Sequence, residues 1–417
     1  MILKNTEGLV HTNMVKLFGN TNHASNLEAI NLHIHPSFFE HGSRILKETK
    51  SIVDYGFADK VFILAIWKEG LLECEHLDAQ RRVLRIRLMI GTPESRGMVK
   101  ILRILEWSIR IFWAFRKSNV VLINCHTLTV LHLGFFFKLI WGSVLVYNPH
   151  ELETESVGSK GIRQVFARLL EKTLIIFADI VINVNRSIAD WYTIEYRLNN
   201  VYSVRNIPYQ NFNDRGVNTH VSLRDKFSIG KDCLLFIYQG GLEYGRGIEI
   251  LLSLFSEMDC TKHIVFMGMG SLDVIVKEFE ERFPNIHFHP AVRPQEVHLY
   301  TRDCDVGISL IENVCLSYYL SLPNKLFEYI MSGLPVIVSD FPEMTAVVNQ
   351  GRCGWTVPVE KEAVFSLISG LSKDDVDEKR SNALEYRKTL GWHNEEKVIV
   401  SALRNVLHPN EHSKPEM

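Results

Sequence analysis

The sequence predicts an α/β protein of two Rossmann-like domains facing each other across a cleft. Three observations carry this expectation. Short apolar, β-branched runs alternate with helical segments along most of the chain, as a βαβ series requires. The series breaks at Asn206-Ile207-Pro208-Tyr209 and then restarts. A length of 417 residues suits two domains of roughly 100–200 residues each. One large doubly wound sheet would show the same alternation, and the break favours two domains.

Residues 1–29 are polar, without clear periodicity, and are assigned no fold. The first domain is expected over 30–207, with strands at Ile30–His35, Val61–Ile66, Val120–Asn124, Val144–Tyr147 and Ile180–Val184. Gly42 falls in the loop after the first strand, and Ile45 opens a helix. The second domain is expected over 208–390. Its strands are Leu234–Tyr238, His263–Met267, Ile286–His289, Val306–Leu310, Pro335–Val338 and Gly354–Val357. Residues 391–417 hold a final helix, Asn394–Leu407, and a tail.

A hydrophobic share of 46% with 23% charged residues is that of a soluble globular protein. The seven cysteines make no CxxC pair and no His/Cys metal spacing, and read as reduced core residues. The start lacks a signal pattern, and no apolar run reaches the ~18 residues of a membrane span. The expected compartment is the cytoplasm. The net charge of −2 conceals an asymmetry: ten basic residues lie between Arg81 and Lys117 against Glu94 and Glu106. Within that region Met98–Phe115 reads as a helix, apolar around most of its circumference, with a polar stripe at Lys100, Arg103, Glu106 and Arg110. It is either a core helix with its polar stripe in water or a basic helix lying on an anionic membrane surface.

The segment Ser321–Asp340 reads as a polar loop, a short helix stopped by Gly333, and a buried strand. Pro323 stands where a first-turn proline is tolerated, since its missing N–H would have no partner. Lys325 and Glu328 are three residues apart on that helix and can face one cleft. Free N–H groups at a helix start beside a lysine suit a phosphate, and a carboxylate one turn on suits a sugar diol. The plainer reading is an ordinary amphipathic helix. A second segment, Tyr238–Gly247, joins a predicted strand to a predicted helix. Its glycines let backbone approach an anion, and Arg246 supplies a permanently charged, forked donor. A surface turn with a solvated arginine is the plainer alternative.

Together these segments resemble the donor site of the family 4 retaining glycosyltransferases, whose GT-B fold is two Rossmann domains about a cleft. The resemblance covers about residues 30–408 and is more specific in the second domain. It implies that Glu328 grips the ribose hydroxyls while Arg246 and Lys325 clamp the donor diphosphate. Gly240 and Gly241 stand where many relatives carry a further arginine. The first Glu of the family motif would fall on Leu320. Some sugar-polymer enzymes of the family carry the Pro-Asn-Lys form instead, here Pro323, Asn324 and Lys325, followed by Leu326. The resemblance places the Gly268-Met269-Gly270 turn near the nucleotide and Val292-Arg293 where relatives hold the base through backbone.

In the first domain, His126 matches a family histidine that reaches the donor sugar near its anomeric carbon. The run Val146–Glu153 resembles an Asp-x-His-Glu segment of polysaccharide-forming relatives, with Asn148 in place of Asp and with His150 and Glu151 on the acceptor side. By residue type alone, a histidine at a strand end is more often structural than catalytic. The loop from His35 to Arg44 resembles one that closes near donor phosphate and acceptor, through Gly42 and Arg44. Ordinary packing of a βα loop explains it equally well. His33 and His35 alternate on a strand without a third ligand at suitable spacing, so no metal site is expected.

The resemblance thus implies a metal-independent, cofactor-free retaining glycosyltransferase. It would move a sugar from a nucleoside-diphosphate donor to a glycan acceptor, in particular a lipid-linked intermediate of a surface polysaccharide. Arg246, Lys325 and helix-terminal N–H groups would neutralise the leaving diphosphate. Two other readings stay open. One is a non-catalytic partner subunit, motivated by Leu320 and Gly241. The other is a GT-B-fold sugar-nucleotide epimerase, which needs acid/base carboxylates and histidines in the cleft. Nucleic acid is not an expected partner, because the overall charge is near zero and the basic helix offers few stacking residues. The basic 81–117 region is a candidate contact with the anionic inner face of a membrane.

Overall fold

The computed structural model describes residues 28–40, 42–92, 95–210 and 222–407. Most of the N-terminal extension and the C-terminal tail lie outside them. The first sheet holds eight strands: β1 (Ile30–Ile34), β2 (Lys60–Ile66), β3 (Cys74–His76), β4 (Arg81–Ile86), β5 (Val120–Cys125), β6 (Val144–Tyr147), β7 (Ile180–Asn183) and β8 (Val201–Ser203). Their order is β3-β4-β2-β1-β5-β6-β7-β8, parallel except for β3 against β4. The helices between them are α1 (Ser43–Asp54), α2 (Gly97–Phe115), α3 (Leu128–Trp141), α4 (Ile162–Ile175) and α5 (Arg186–Tyr196).

Six strands form the second sheet: β9 (Leu234–Gly241), β10 (Lys262–Met269), β11 (Ile286–Pro290), β12 (Val306–Ser309), β13 (Val336–Ser339) and β14 (Gly354–Val357). Their order is β11-β10-β9-β12-β13-β14, all parallel. The accompanying helices are α6 (Leu223–Lys226), α7 (Ile248–Phe255), α8 (Asp273–Arg282), α9 (Val297–Thr301), α10 (Leu316–Tyr319), α11 (Asn324–Met331), α12 (Pro342–Gly351), α13 (Lys361–Gly370) and α14 (Lys373–Tyr386). The last helix, α15 (Trp392–Leu407), returns to the first sheet. There Trp392, Ile399 and Leu403 share a core with Ile52, Leu122 and Ile180, and Trp392 Nε1 donates to Ser51 Oγ at 2.9 Å.

Each sheet reverses direction beside its first strand: β1 lies between β2 and β5, and β9 lies between β10 and β12. Such switch points splay the loops at the strands' carboxyl ends and open a crevice where ligands bind in this class of sheet. The arrangement has the two facing parallel domains of the GT-B architecture.

The expected strands all form, with ends within a few residues of those read from the sequence. Strands β3, β4 and β8 were not anticipated. β4 carries Arg81, Arg82 and Arg85, whose charges mask its apolar alternation. Arg85 is buried and holds the loop after β1 by donating to the carbonyls of Phe38 (2.9 Å) and Phe39 (3.0 Å). Helix α2 is a sheet-covering helix, as the first reading expects, but its polar stripe is not simply in water. It covers the sheet with Trp107, Ile111 and Phe115, yet Arg103 points inward while Met98, Ile101, Leu105, Ile109 and Trp113 are exposed. Among the described residues no helix is long and apolar enough to cross a membrane.

Candidate functional site

The donor-side residues gather at the β9/β12 switch point because helix α11 is pinned there. The Tyr329 hydroxyl accepts from the Gln239 backbone N–H at 2.9 Å and donates to the Ile308 carbonyl at 3.2 Å, bridging β9 and β12. Gly307 makes this close approach possible, since a Cβ there would run into the Tyr329 ring. The first turns of α11 therefore meet the carboxyl end of β9. Glu328 Oε2 accepts from Gln239 Nε2 at 2.6 Å, and Gln239 Oε1 accepts from the Thr301 hydroxyl at 2.7 Å. Lys325 Nζ lies 3.6 Å from the Tyr238 ring centroid and beside Gly240, whose φ of 111° lies in the region that favours glycine. Arg246 stacks 4.6 Å over the Tyr318 ring. Its loop is braced by Glu312, which donates from its backbone to Gly245 O at 3.0 Å and accepts from Gly247 N–H at 3.2 Å.

Burial and the neighbouring Arg246 charge pull the Lys325 amine down to about 7, against the opposing pull of Glu328. Burial pushes the Glu328 carboxyl up, while the Gln239 bond and the charges of Lys325 and Lys47 hold it down. Two cations that repel each other, only one of them attracted by Glu328, form an arrangement that an anion relaxes.

The other donor-side candidates divide. Asn324 is exposed at the start of α11, whereas Leu326 is wholly buried in the second-domain core. Gly241 ends β9 and is open. Gly268 and Gly270 have a packing role: a Cβ on either would collide with the carbonyl of Gly240 or Leu242 in the adjacent strand segment. Val292 packs on the core, and Arg293 is exposed and paired to Glu296 at 2.6 Å.

On the first domain, the ends of β1, β5 and β6 bring four histidines together. His33 Nδ1 and His126 Nε2 are hydrogen-bonded at 2.9 Å, and His126 Nδ1 and His150 Nε2 at 3.1 Å. His35 stacks on His150 with ring centroids 5.8 Å apart and bonds Ser37 Oγ at 2.6 Å. Burial lowers all four, His33 to about 3, so the cluster is neutral near pH 7. A cavity of about 380 Å³ opens beside them, lined by His35, His126, Thr127, His150, Glu151, Glu153 and Ser156. Glu153 was not singled out from the sequence. It accepts the Leu128 N–H at 3.1 Å, at the start of α3, and burial raises its carboxyl to about 8.

Arg44 lies inside the domain, away from open solvent. Its Nε pairs with Glu48 Oε1 at 2.8 Å and its Nη1 donates to Val204 O at 2.7 Å. Asn148, where polysaccharide-forming relatives have Asp, donates to Glu48 at 2.9 Å. An aspartate there would set two carboxylates together in a buried site, so the amide suits this chain's partner. Gly42 gives way to the Phe39 ring.

The fold also assembles a trio that spacing did not reveal: donor atoms of His33, Glu48 and His126 lie within 4.8 Å of one another. Glu48 already balances Arg44, so a divalent cation there would leave two further positive charges buried beside the guanidinium. The trio fits an ion-paired hydrogen-bond network better than a metal centre.

The two domains meet beside the donor residues. Asn185 Nδ2 donates to the Leu320 carbonyl at 2.7 Å, and the Leu320 side chain packs on the first-domain core. Lys47 of the first domain donates to Ile207 O at 2.7 Å and lies close enough to Glu328 for their charges to interact.

Residues 234–374, which include all the second sheet, match a family model described as Glycosyl transferases group 1. No curated protein matches the sequence. Among solved structures, the sucrose-phosphate synthase of Thermosynechococcus elongatus is similar over 92% of this chain and 100% of that one, with a TM-score of 0.74 and 14% identity. HepE (Alr3699) of Anabaena, solved in complex with UDP-glucose, is similar over 89% of this chain and 99% of that one, with a TM-score of 0.66 and 16% identity. WaaG, a glycosyltransferase involved in lipopolysaccharide biosynthesis, is similar over 91% of this chain and 100% of that one, with a TM-score of 0.62 and 13% identity. At these identities the likeness establishes the fold, which is GT-B.

Proposed function

We propose that the chain is a retaining glycosyltransferase of the family 4 type, acting from a nucleoside-diphosphate sugar on a glycan acceptor. The observation that carries this reading is the placement of Arg246, Lys325 and Glu328 at the β9/β12 switch point, with the two cations crowding each other. A diphosphate between Arg246 and Lys325 relieves that repulsion, and a ribose diol offers two hydroxyls to Glu328. The match of residues 234–374 to Glycosyl transferases group 1 and the UDP-sugar complexes among the similar structures support the same donor class.

In this reading the bond from the anomeric carbon to the leaving phosphate breaks as the acceptor oxygen bonds that carbon from the same face. The departing diphosphate takes the acceptor's proton. Arg246 and Lys325 stabilise the charge that grows on it, and His126 contacts the sugar from the first domain. No protein carboxylate base is required, and no metal or other cofactor is assigned. The proposed acceptor is a lipid-linked precursor of a surface polysaccharide, and the proposed compartment is the cytoplasm at the inner face of its membrane.

Thermal unfolding of the wild type and Glu328→Ala with UDP, GDP and ADP tests the donor site. A ligand bound only by the folded state adds about 2.7 kcal/mol at a hundredfold excess over Kd. One nucleotide is expected to raise Tm in the wild type and to lose much of that effect in the variant. No shift with any nucleotide would instead favour a non-catalytic partner subunit.

A second reading, sugar-nucleotide epimerase, takes support from Glu153, whose raised carboxyl lines one cavity with His126 and His150. Product analysis after incubation with UDP-N-acetylglucosamine separates the two, since an epimerase changes the sugar without an acceptor.

A further inference from the structure

Helices α2, α3 and α4 lie side by side on one face of the first sheet and expose an apolar surface of unusual extent. On α2 the exposed residues Met98, Ile101, Leu105, Ile109 and Trp113 recur every three or four positions, which aligns them on one outward stripe. Met98 is 70% exposed. α3 adds Phe136, Leu139 and Ile140. On α4, Ile162 (89% exposed), Val165, Phe166 and Leu169 repeat the pattern. Ring contacts tie the face together: Phe112 of α2 to Trp141 of α3 at 5.0 Å, and Phe135 of α3 to Phe177, just after α4, at 4.6 Å. Monomeric soluble proteins rarely show a contiguous apolar face of this kind unless something covers it.

The charges around the face say what that is. The three helices carry seven basic residues against only Glu106 and Glu171, although Lys138 and Arg168 pair with Asp179 and Glu155 outside the helices. Glu171 is buried beneath the hydroxyls of Tyr147, Tyr192 and Tyr196, and Glu106 is paired to Arg110 at 2.7 Å. Lys100, Arg163 and Lys172 are exposed, and Arg116 stacks 4.6 Å over Trp113 at the end of α2. A second copy seated on this face would bring the same cations together across the contact. An anionic lipid surface supplies the opposite charge and accepts the apolar stripe.

We infer that α2, α3 and α4 form a docking face for an anionic lipid bilayer. Since no described helix can span a membrane, the contact is interfacial, with the apolar stripes sunk about 5–10 Å into the headgroup boundary and the cations among the phosphates. Trp113 and Arg116 form an amphipathic pair suited to that depth. This placement differs from a basic 81–117 contact, because Arg85 is buried in the loop it holds while α3 and α4 join the face. On the function proposed above, the face also delivers the acceptor. Thr127, the N-cap residue of α3, and Ser156, in the segment before α4, line the cavity of His126, His150 and Glu151, so a lipid-anchored glycan would enter from the membrane plane.

The test is co-sedimentation of the full chain with vesicles of phosphatidylcholine alone and of phosphatidylcholine with phosphatidylglycerol in a two-to-one ratio. The variants are Ile109→Asp with Val165→Asp, and Lys100→Glu with Arg163→Glu, all at exposed positions remote from the donor residues. Binding is expected with the mixed vesicles only, to weaken at high salt, and to fall at least tenfold in both double variants. Each variant should keep the wild-type Tm and nucleotide shift. A wild type that stays in the supernatant overturns the proposal. If it is then a dimer that the variants dissociate, the face belongs to a second copy. Variants that bind like the wild type, or equal binding to neutral vesicles, also overturn it. Vesicle binding without any nucleotide-induced shift would sink the transferase reading and leave the docking face standing.

Discussion

The carbonyl of Leu320 accepts the Asn185 side-chain amide at 2.7 Å, which ties the two domains together where the resembled motif would carry its first Glu. Asn185 Oδ1 also caps α5 by accepting from Ile188 N–H at 2.9 Å. Asn185→Ala removes both bonds. A loss of about 1–2 kcal/mol is expected, read as a lower urea midpoint. A rise in donor KM without a matching fall in kcat would show that the contact holds the cleft for binding. An unchanged midpoint would remove the contact from the account.

Arg246→Ala and Lys325→Ala should each weaken nucleotide-sugar binding roughly 10- to 100-fold, the scale of a lost charge-assisted hydrogen bond. Isothermal titration calorimetry reads this directly. The double variant should lose more than the sum, because in each single variant the remaining cation, freed of the repulsion, holds the diphosphate better. Strict additivity would show that the two do not share a ligand.

Donor affinity should fall as pH rises through 7. Lys325 titrates near 7 in the free protein, and a bound diphosphate favours its protonated form. The amine is therefore charged and binding is strongest below pH 7. Above it the affinity declines by up to about tenfold per unit until the bound-state value is reached. Calorimetry in buffers of different ionisation heats should show proton uptake above pH 7. Lys325→Arg, charged throughout, should flatten the profile.

His126→Ala should leave nucleotide affinity within about twofold and lower kcat on the order of 10²-fold, as for loss of one group aimed at the reacting centre. His33→Ala is the control. It removes a hydrogen-bond partner of His126 without a place on the cavity wall. An equal effect of both on Tm with no effect of either on kcat would make the cluster purely structural.

Gly268→Ala should destabilise the second domain by about 1–3 kcal/mol, because the new methyl meets a backbone carbonyl that cannot turn aside. Gly240→Ala meets only the flexible end of Lys325, at 3.6 Å, but is strained by its φ of 111°. Its effect on donor binding should therefore exceed that of Gly268→Ala relative to the stability each loses. Circular dichroism melts and calorimetry on the same samples compare them.

The donor trio was legible because one turn and one short helix set its geometry. Lys325 and Glu328 share a helix face by spacing, and Arg246 ends the loop of the strand they meet. The same local rules located eleven of the fourteen strands among the described residues, since apolar runs of β-branched residues identify buried parallel strands without knowledge of their neighbours. β4 escaped because three arginines interrupt its pattern.

Other features needed the chain to close on itself. His33 bonds His126 from 93 residues away, and Glu48 bonds Asn148 from 100. No local spacing predicts either contact, or that Arg44 would be used inward on Glu48. The periodicity of α2 told that it was a helix, but its neighbours decided that Arg103 faces in and Trp113 faces out. Element type follows from local sterics and apolar period, which the sequence carries in every window. Which groups share a pocket, and which apolar faces stay uncovered, follow from sheet order and helix packing, and those are set by burial over the whole molecule.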